Sequence, residues 1–191
     1  MYLTILYFWW CSICIERKIV NIAKSSIYKD IDNLGKIFNV QEKAKLFSNK
    51  LKARQKKITS ELSGIQETKT FAYLHMSDPK EINIYSAYNE TFFNNAFGML
   101  KLKNIFQNVR GTVSVEQLVK ANPDVLIVLN WENNADKVKK ALYENPKLSS
   151  MKAIKNKQVY AMDYNELFGY SYNTLDGIEQ LAKEMYPDQF K

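Results

Sequence analysis

The sequence predicts an α/β fold, a three-layer α/β/α lobe with a mostly parallel central sheet preceded by one long helix. Three observations carry that expectation. From residue 70 onward, short apolar runs alternate with helix-periodic stretches across short connections, the pattern of strands covered by helices. Residues 125–129, Val-Leu-Ile-Val-Leu, form a continuous apolar run that suits a strand covered on both faces. Ahead of the alternation, Val40, Ala44, Phe47, Leu51, Ile58 and Leu62 recur at helical spacing on one stripe.

Taken in chain order, residues 28–38 place Ile31, Leu34 and Phe38 on one helical face, with Gly35 weakening the middle. Asn39 is positioned to cap a second helix, and Glu42 three residues on would complete a capping box. That helix, running from Val40 to Leu62, would be about 35 Å long, enough to span a small domain. Its outer face, Lys43, Lys45, Lys50, Lys52, Arg54, Lys56 and Lys57, reads as a solvated surface. Ser63-Gly64 ends it. Residues 70–74 read as a first strand, Ser77-Asp78-Pro79 as a turn and 82–85 as a second, short strand.

A helix over 90–100 buries Phe93, Ala96, Phe97 and Leu100. Another starts near Val113 with Ser114 as cap and Glu116 and Gln117 in its first turn. Asn122-Pro123 breaks it before the 124–129 strand. Residues 136–143 are helical, and Asn145-Pro146 introduces a short helix through Leu148, Met151 and Ile154. A strand over 158–162 and a helix over 173–185, carrying Leu175, Ile178, Leu181, Ala182 and Met185, close the chain. The organisation expected is thus an apolar leader over 1–27, a helical connecting segment over 28–63 and a lobe over 64–191.

The leader is foreign to the lobe behind it. Residues 2–15 are nearly all apolar, but as a helix they would cover roughly 21 Å, short of the roughly 30 Å hydrocarbon core. The charges Glu16, Arg17 and Lys18 come after the run rather than before it, and no small residues precede Cys11. A proper secretory signal or lipid-attachment site is therefore not expected. Cys11 and Cys14, spaced C-S-I-C, lack the further ligands zinc requires and the strand–helix setting of a redox pair.

Composition narrows function. The 191 residues are 46% hydrophobic and 25% charged, those of a globular chain rather than a disordered or disulfide-framed one. Net charge is +7, yet the only arginines are Arg17, Arg54 and Arg110. Lysine point charges suit a solvated surface better than base or phosphate readout, so no nucleic-acid partner is expected. No glycine-rich nucleotide loop, nucleophile elbow or helical histidine pair is present. The single histidine, His75, reads as a strand-end residue. Neither catalytic residues, nor a cofactor, nor a metal site is expected.

What the sequence does offer is a set of strand ends. Ligands of open α/β sheets sit at the carboxyl ends of the strands. Tyr88 and Asn89 come after the second strand, Trp131 after the 124–129 strand, and Tyr164 and Tyr170 after the 158–162 strand. Aromatic faces with polar tips suit a large, partly polar ligand. Packing of loop against sheet would use the same residues.

The chain from about residue 28 to 191 resembles the carboxyl-terminal lobe and interlobe helix of the periplasmic-type binding proteins of iron–siderophore, haem and cobalamin ABC importers. The segments that carry the resemblance are DNLGKIF (32–38), EKA (42–44), NIF (104–106), SVEQL (114–118), ANPDVLI (121–127), AIKNKQVY (153–160) and MYPD (185–188). The resemblance implies two lobes joined by a long helix, with ligand in the cleft between them. It implies a small-molecule iron complex as ligand, most naturally an iron–siderophore, with stacking on Tyr88, Trp131, Tyr164 or Tyr170 and polar contacts from Asn89 and Arg110. It also implies that Glu116 docks on an ABC permease at the membrane, which would place the protein outside the cytoplasm.

Two departures qualify what is implied. Arg110 is the one arginine near these loops, so the ligand stays open among iron chelates, haem and corrinoids. Residues 1–27 are too few for the family's amino-terminal lobe, so a truncated chain, or a separate amino-terminal lobe as partner, is expected. The rival readings are a non-binding remnant or interaction module of the same fold, and a small α/β enzyme.

Overall fold

The computed structural model describes residues 26–76, 78, 80–85, 92–130, 134–168 and 173–191. A helical hairpin comes first, α1 (Ser26–Ile37) and α2 (Gln41–Glu61). Gly35 is where they approach: a Cβ there would lie 2.6 Å from the Ala44 Cβ, so only glycine fits. The expected capping role of Asn39 is not what the structure shows. Asn39 takes the left-handed conformation, φ 54°, and Val40 occupies the N-cap without a side-chain hydrogen bond. A short amide tolerates that backbone region, which turns the chain between the helices.

The stripe on α2 is buried only in its second half. Leu51, Ile58 and, just past the helix, Leu62 are in the core, whereas Val40 and Phe47 stay exposed. That second half packs on the closing helix of the lobe.

The lobe contains β1 (Lys69–His75), β2 (Asn83–Tyr85), α3 (Phe92–Met99), β3 (Leu102–Asn104), β4 (Thr112–Val113), α4 (Val115–Ala121) and β5 (Val125–Asn130). It continues with α5 (Ala135–Glu144), α6 (Lys152–Lys155), β6 (Val159–Asp163), α7 (Tyr164–Phe168), α8 (Asn173–Met185) and a 3-10 turn, Pro187–Phe190. Strand order is β4-β2-β1-β5-β6, with β3 also on β1. The β1–β3, β1–β5 and β5–β6 pairs are parallel, as expected of a mostly parallel sheet. The β1–β2 and β2–β4 pairs are antiparallel. β3 lies beside Lys69–Phe71 and β2 beside Tyr73–His75, so two short strands share the β1 edge that β5 leaves open.

β3 and β4 were not expected, because runs of two or three residues are too short to show a period; Val113, read as a helix start, lies in β4. Ser114 does cap α4. Its hydroxyl accepts from Gln117 N–H at 3.2 Å and the Gln117 side chain accepts from Ser114 N–H at 2.9 Å.

Alternation along the strands builds three layers. Phe71, Tyr73, Ile127, Leu129 and Met162 face Ile58, Phe97, Ile178 and Leu181 on one side of the sheet. Ala72, Leu74, Leu126, Val128 and Ala161 face Leu118, Val138, Leu142 and Ile154 on the other. Each fully buried Leu or Ile contributes about 1.5–3 kcal/mol of burial. At the amino-terminal end of the sheet, Asp124 fastens β5 to β1, accepting from Thr70 N–H at 2.9 Å and from Thr70 Oγ1 at 2.6 Å. Burial opposes ionisation of Asp124, but those bonds and Lys152 outweigh it and hold the carboxyl below its ordinary value.

Candidate functional site

The parallel strands end level with one another: His75 lies opposite Leu129, and Asn130 opposite Asp163. The segments after β1, β5 and β6 therefore start from a common edge. Asn130 fixes that edge. It is buried, its Nδ2 donates to Met76 O at 3.2 Å, and it also hydrogen-bonds Asn134 at the start of α5. The loop after β1 and the loop after β5 are thus tied to one amide.

Tyr164 begins α7 immediately after β6, half-buried, and its ring meets the His75 ring edge-on with centroids 5.7 Å apart. His75 in turn lies 5.7 Å from the Tyr73 ring. Burial pushes the His75 imidazole below its ordinary pKa, which keeps it neutral near pH 7. Asp163 Oδ1 accepts from Asn165 N–H at 2.7 Å and so turns the chain into α7. Gly177 lets α8 approach that helix, since a Cβ there would meet the Glu166 carbonyl oxygen at 3.0 Å. His75 was read from sequence as a strand-end residue only. Its position beside Tyr164 depends on β1 and β6 flanking β5, and no local pattern signals that.

The remaining expected residues do not all reach this edge. Trp131 and Tyr170 come directly or shortly after elements that end here, but they lie outside the described residues, as do Tyr88 and Asn89. The strand before Tyr88, β2, runs antiparallel to β1, with Asn83 opposite His75 and Tyr85 opposite Tyr73, so β2 ends away from the edge at which β1 ends. Arg110 is exposed and precedes β4, whose Thr112 pairs with Tyr85. Arg110 and Tyr164 thus attach to opposite sides of the sheet.

Glu116 is exposed in the first turn of α4. Its carboxyl is held below the usual range by its own backbone N–H, then by the Ser114 hydroxyl and nearby Lys147, so it presents a charge to solvent at neutral pH. Next to it, a surface hollow of about 500 Å³ is lined by residues including Lys80, Ile82, Val115, Glu144 and Lys147. Among the described residues there is no group of three or more His, Cys, Asp or Glu that could hold a metal ion. Nor is any described helix long and apolar enough to cross a membrane.

Comparison with known proteins gives the context. Residues 16–166 match a family described as periplasmic binding protein. An uncharacterized ABC transporter substrate-binding lipoprotein of Bacillus subtilis strain 168, YvrC, is 29% identical over 179 residues, which cover 90% of this chain and 54% of the relative. A solved structure of a possible iron-binding, periplasmic solute-binding protein from Staphylococcus epidermidis superposes with a TM-score of 0.70 at 23% identity, over 83% of this chain and 61% of that one. A structure of an Fe3+-hydroxamate transport system protein from Saccharomonospora viridis does so with a TM-score of 0.70 at 21% identity, over 84% of this chain and 55% of that one. The chain thus spans about half the length of the curated relative it matches. At these identities the two structures establish the shared fold.

Proposed function

The chain belongs to the periplasmic binding protein family, and from that membership we propose that it is the ligand-binding lobe of an ABC importer's substrate-binding component, taking an iron complex of the siderophore class. The observation that carries the reading is the level ending of β1, β5 and β6, with His75 and Tyr164 ring to ring at that edge. The iron class is supported by the names of relatives, a possible iron-binding protein and an Fe3+-hydroxamate system protein. The ligand stacks on Trp131, Tyr164 and Tyr170; Tyr88 and Asn89, which follow the antiparallel β2, and Arg110, which precedes β4 at the far end of the strand order from β6, are not part of this stack. The connecting segment is 28–63 and the binding lobe 64–191. The facing wall of the cleft is a separate amino-terminal lobe, Glu116 meets a permease outside the cytoplasm, and no catalytic step is involved.

Titration of a W9F/W10F chain, in which Trp131 is the only tryptophan, tests this. A saturable fluorescence change with a ferric hydroxamate, lost in Y164A, is expected. A response to haem or cobalamin instead reassigns the ligand class, and no saturable response to any of the three favours a non-binding remnant of the same fold.

A further inference from the structure

The reversal between α1 and α2 gathers apolar side chains in water. Ile37, Phe38 and Val40 are exposed on either side of Asn39, and Leu34 and Leu46 are exposed a little further back along α1 and α2. Ile37, Phe38 and Leu46 keep 72%, 69% and 69% of their surface open. Among the described residues, Val109 is the one large hydrophobic exposed outside the hairpin. Such a concentration marks a place where something docks.

The tip is preformed and stands away from the lobe. Gly35 seats α1 against Ala44 of α2, and near the other end of the hairpin Tyr28 Oη donates to Gln55 Oε1 at 2.9 Å. Arg54 fastens α2 to Glu179 of α8 at 2.7 Å. From Gln41 to Arg54 the helix rises about 20 Å, so the reversal lies that far along the axis from this anchor.

Charge selects the occupant. Lys36, Lys43, Lys45 and Lys50 are exposed around the tip, and Glu42 is the one acid in residues 36–50. Lys36 is engaged by Asp32 at 2.7 Å. Lys43 and Lys50 precede and follow Leu46 by three and four positions, which makes them its neighbours on the helix surface. Cores of protein–protein interfaces are depleted of lysine, because an ammonium buried without a paired charge is costly. A bilayer surface accepts the same side chains: the alkyl stems lie along apolar groups while the ammonium reaches the headgroup phosphates. An apolar tip collared by lysines therefore fits the interface of an anionic bilayer.

We infer that the α1–α2 reversal is a membrane-docking tip, with Ile37, Phe38 and Leu46 entering the acyl boundary of an anionic bilayer and Lys43, Lys45 and Lys50 meeting its phosphates. The inference stands apart from the transport reading, since none of these residues belongs to the sheet edge proposed to bind ligand.

F38W in a full-length W9F/W10F/W131F chain places the single tryptophan at the tip. With vesicles of phosphatidylglycerol and phosphatidylcholine, its emission should shift blue and be quenched by lipids brominated on their acyl chains. K137W in the same background should show neither effect, because α5 lies across the sheet from α2. In vesicle sedimentation I37D/F38D should lower partitioning at least about tenfold, and K43Q/K45Q roughly 30-fold, with far-UV circular dichroism unchanged. An unshifted F38W overturns the inference, including where the chain sediments with the vesicles through another segment. So does equal partitioning into pure phosphatidylcholine, or a blue shift without lipid that grows with protein concentration, which assigns the tip to a second copy.

Discussion

Arg54 on α2 and Glu179 on α8, 125 residues apart in the chain, are joined by two hydrogen bonds to one oxygen, from Nη2 at 2.7 Å and from Nε at 3.2 Å. Arg54 Nη1 reaches Asp176 at 2.7 Å, and Lys183 holds the other Glu179 oxygen at 2.9 Å. The Arg54 bond, with that of Lys183, keeps the Glu179 carboxyl below its ordinary value. R54A should cost about 1 kcal/mol, the upper end for partly exposed pairs. A carboxyl lowered by folding stabilises above its unfolded pKa and loses that contribution as pH falls through the folded one. Urea denaturation from pH 7 to 3 should therefore show a shallower acid limb in R54A than in the parent.

Gly35 is predicted to resist substitution despite lying in a helix, where alanine is normally favoured by about 0.5–1 kcal/mol. Overlap with the Ala44 Cβ at 2.6 Å reverses the sign, and G35A should lose about 1–3 kcal/mol. G35A/A44G should recover much of that loss. Thermal melts of the parent and the two variants decide it, and a stabilised G35A would contradict the packing.

T70V should destabilise by about 1–3 kcal/mol, because it removes the hydroxyl bond to the half-buried Asp124 carboxylate and leaves that oxygen short of a donor. D124N/T70V should cost less than the sum of the two single changes, as partners in one network do. The measurement is chemical denaturation of all four chains.

For His75, burial depresses the folded-state pKa below the unfolded value near 6.5. The unfolded chain then binds the proton more readily. Stability is complete above about pH 6.5 and falls as the pH drops toward the folded value. H75Q should flatten this part of the profile between pH 7.5 and 5, and loss of the contact with Tyr164 should lower its melting temperature at pH 7.5.

Much of the fold was legible because burial leaves a period. Val125–Asn130 is buried at every position, as its unbroken apolar run implied, and α8 matches the expected bounds. Elements set by pairing were not legible. Nothing in residues 82–85 reveals that β2 runs against β1, and Leu102–Asn104 acquires strand geometry only because Lys69–Phe71 leaves an edge open. Asn39 illustrates a different limit: its side chain suits a cap, but its backbone is used for a left-handed turn. At the site, Tyr164 was visible as a strand-end aromatic, whereas its neighbour His75 comes from a strand two positions across the sheet.

The divided edge of β1 also bears on which insertions the lobe can accept. β2 and β3 abut along one row of backbone groups, so lengthening either would displace the other. Extra residues can be absorbed instead between them and their neighbours, above all across 107–111, where Gly111 already adopts φ 93°. Length variation among homologues should gather there, leaving the spacing of the paired segments unchanged.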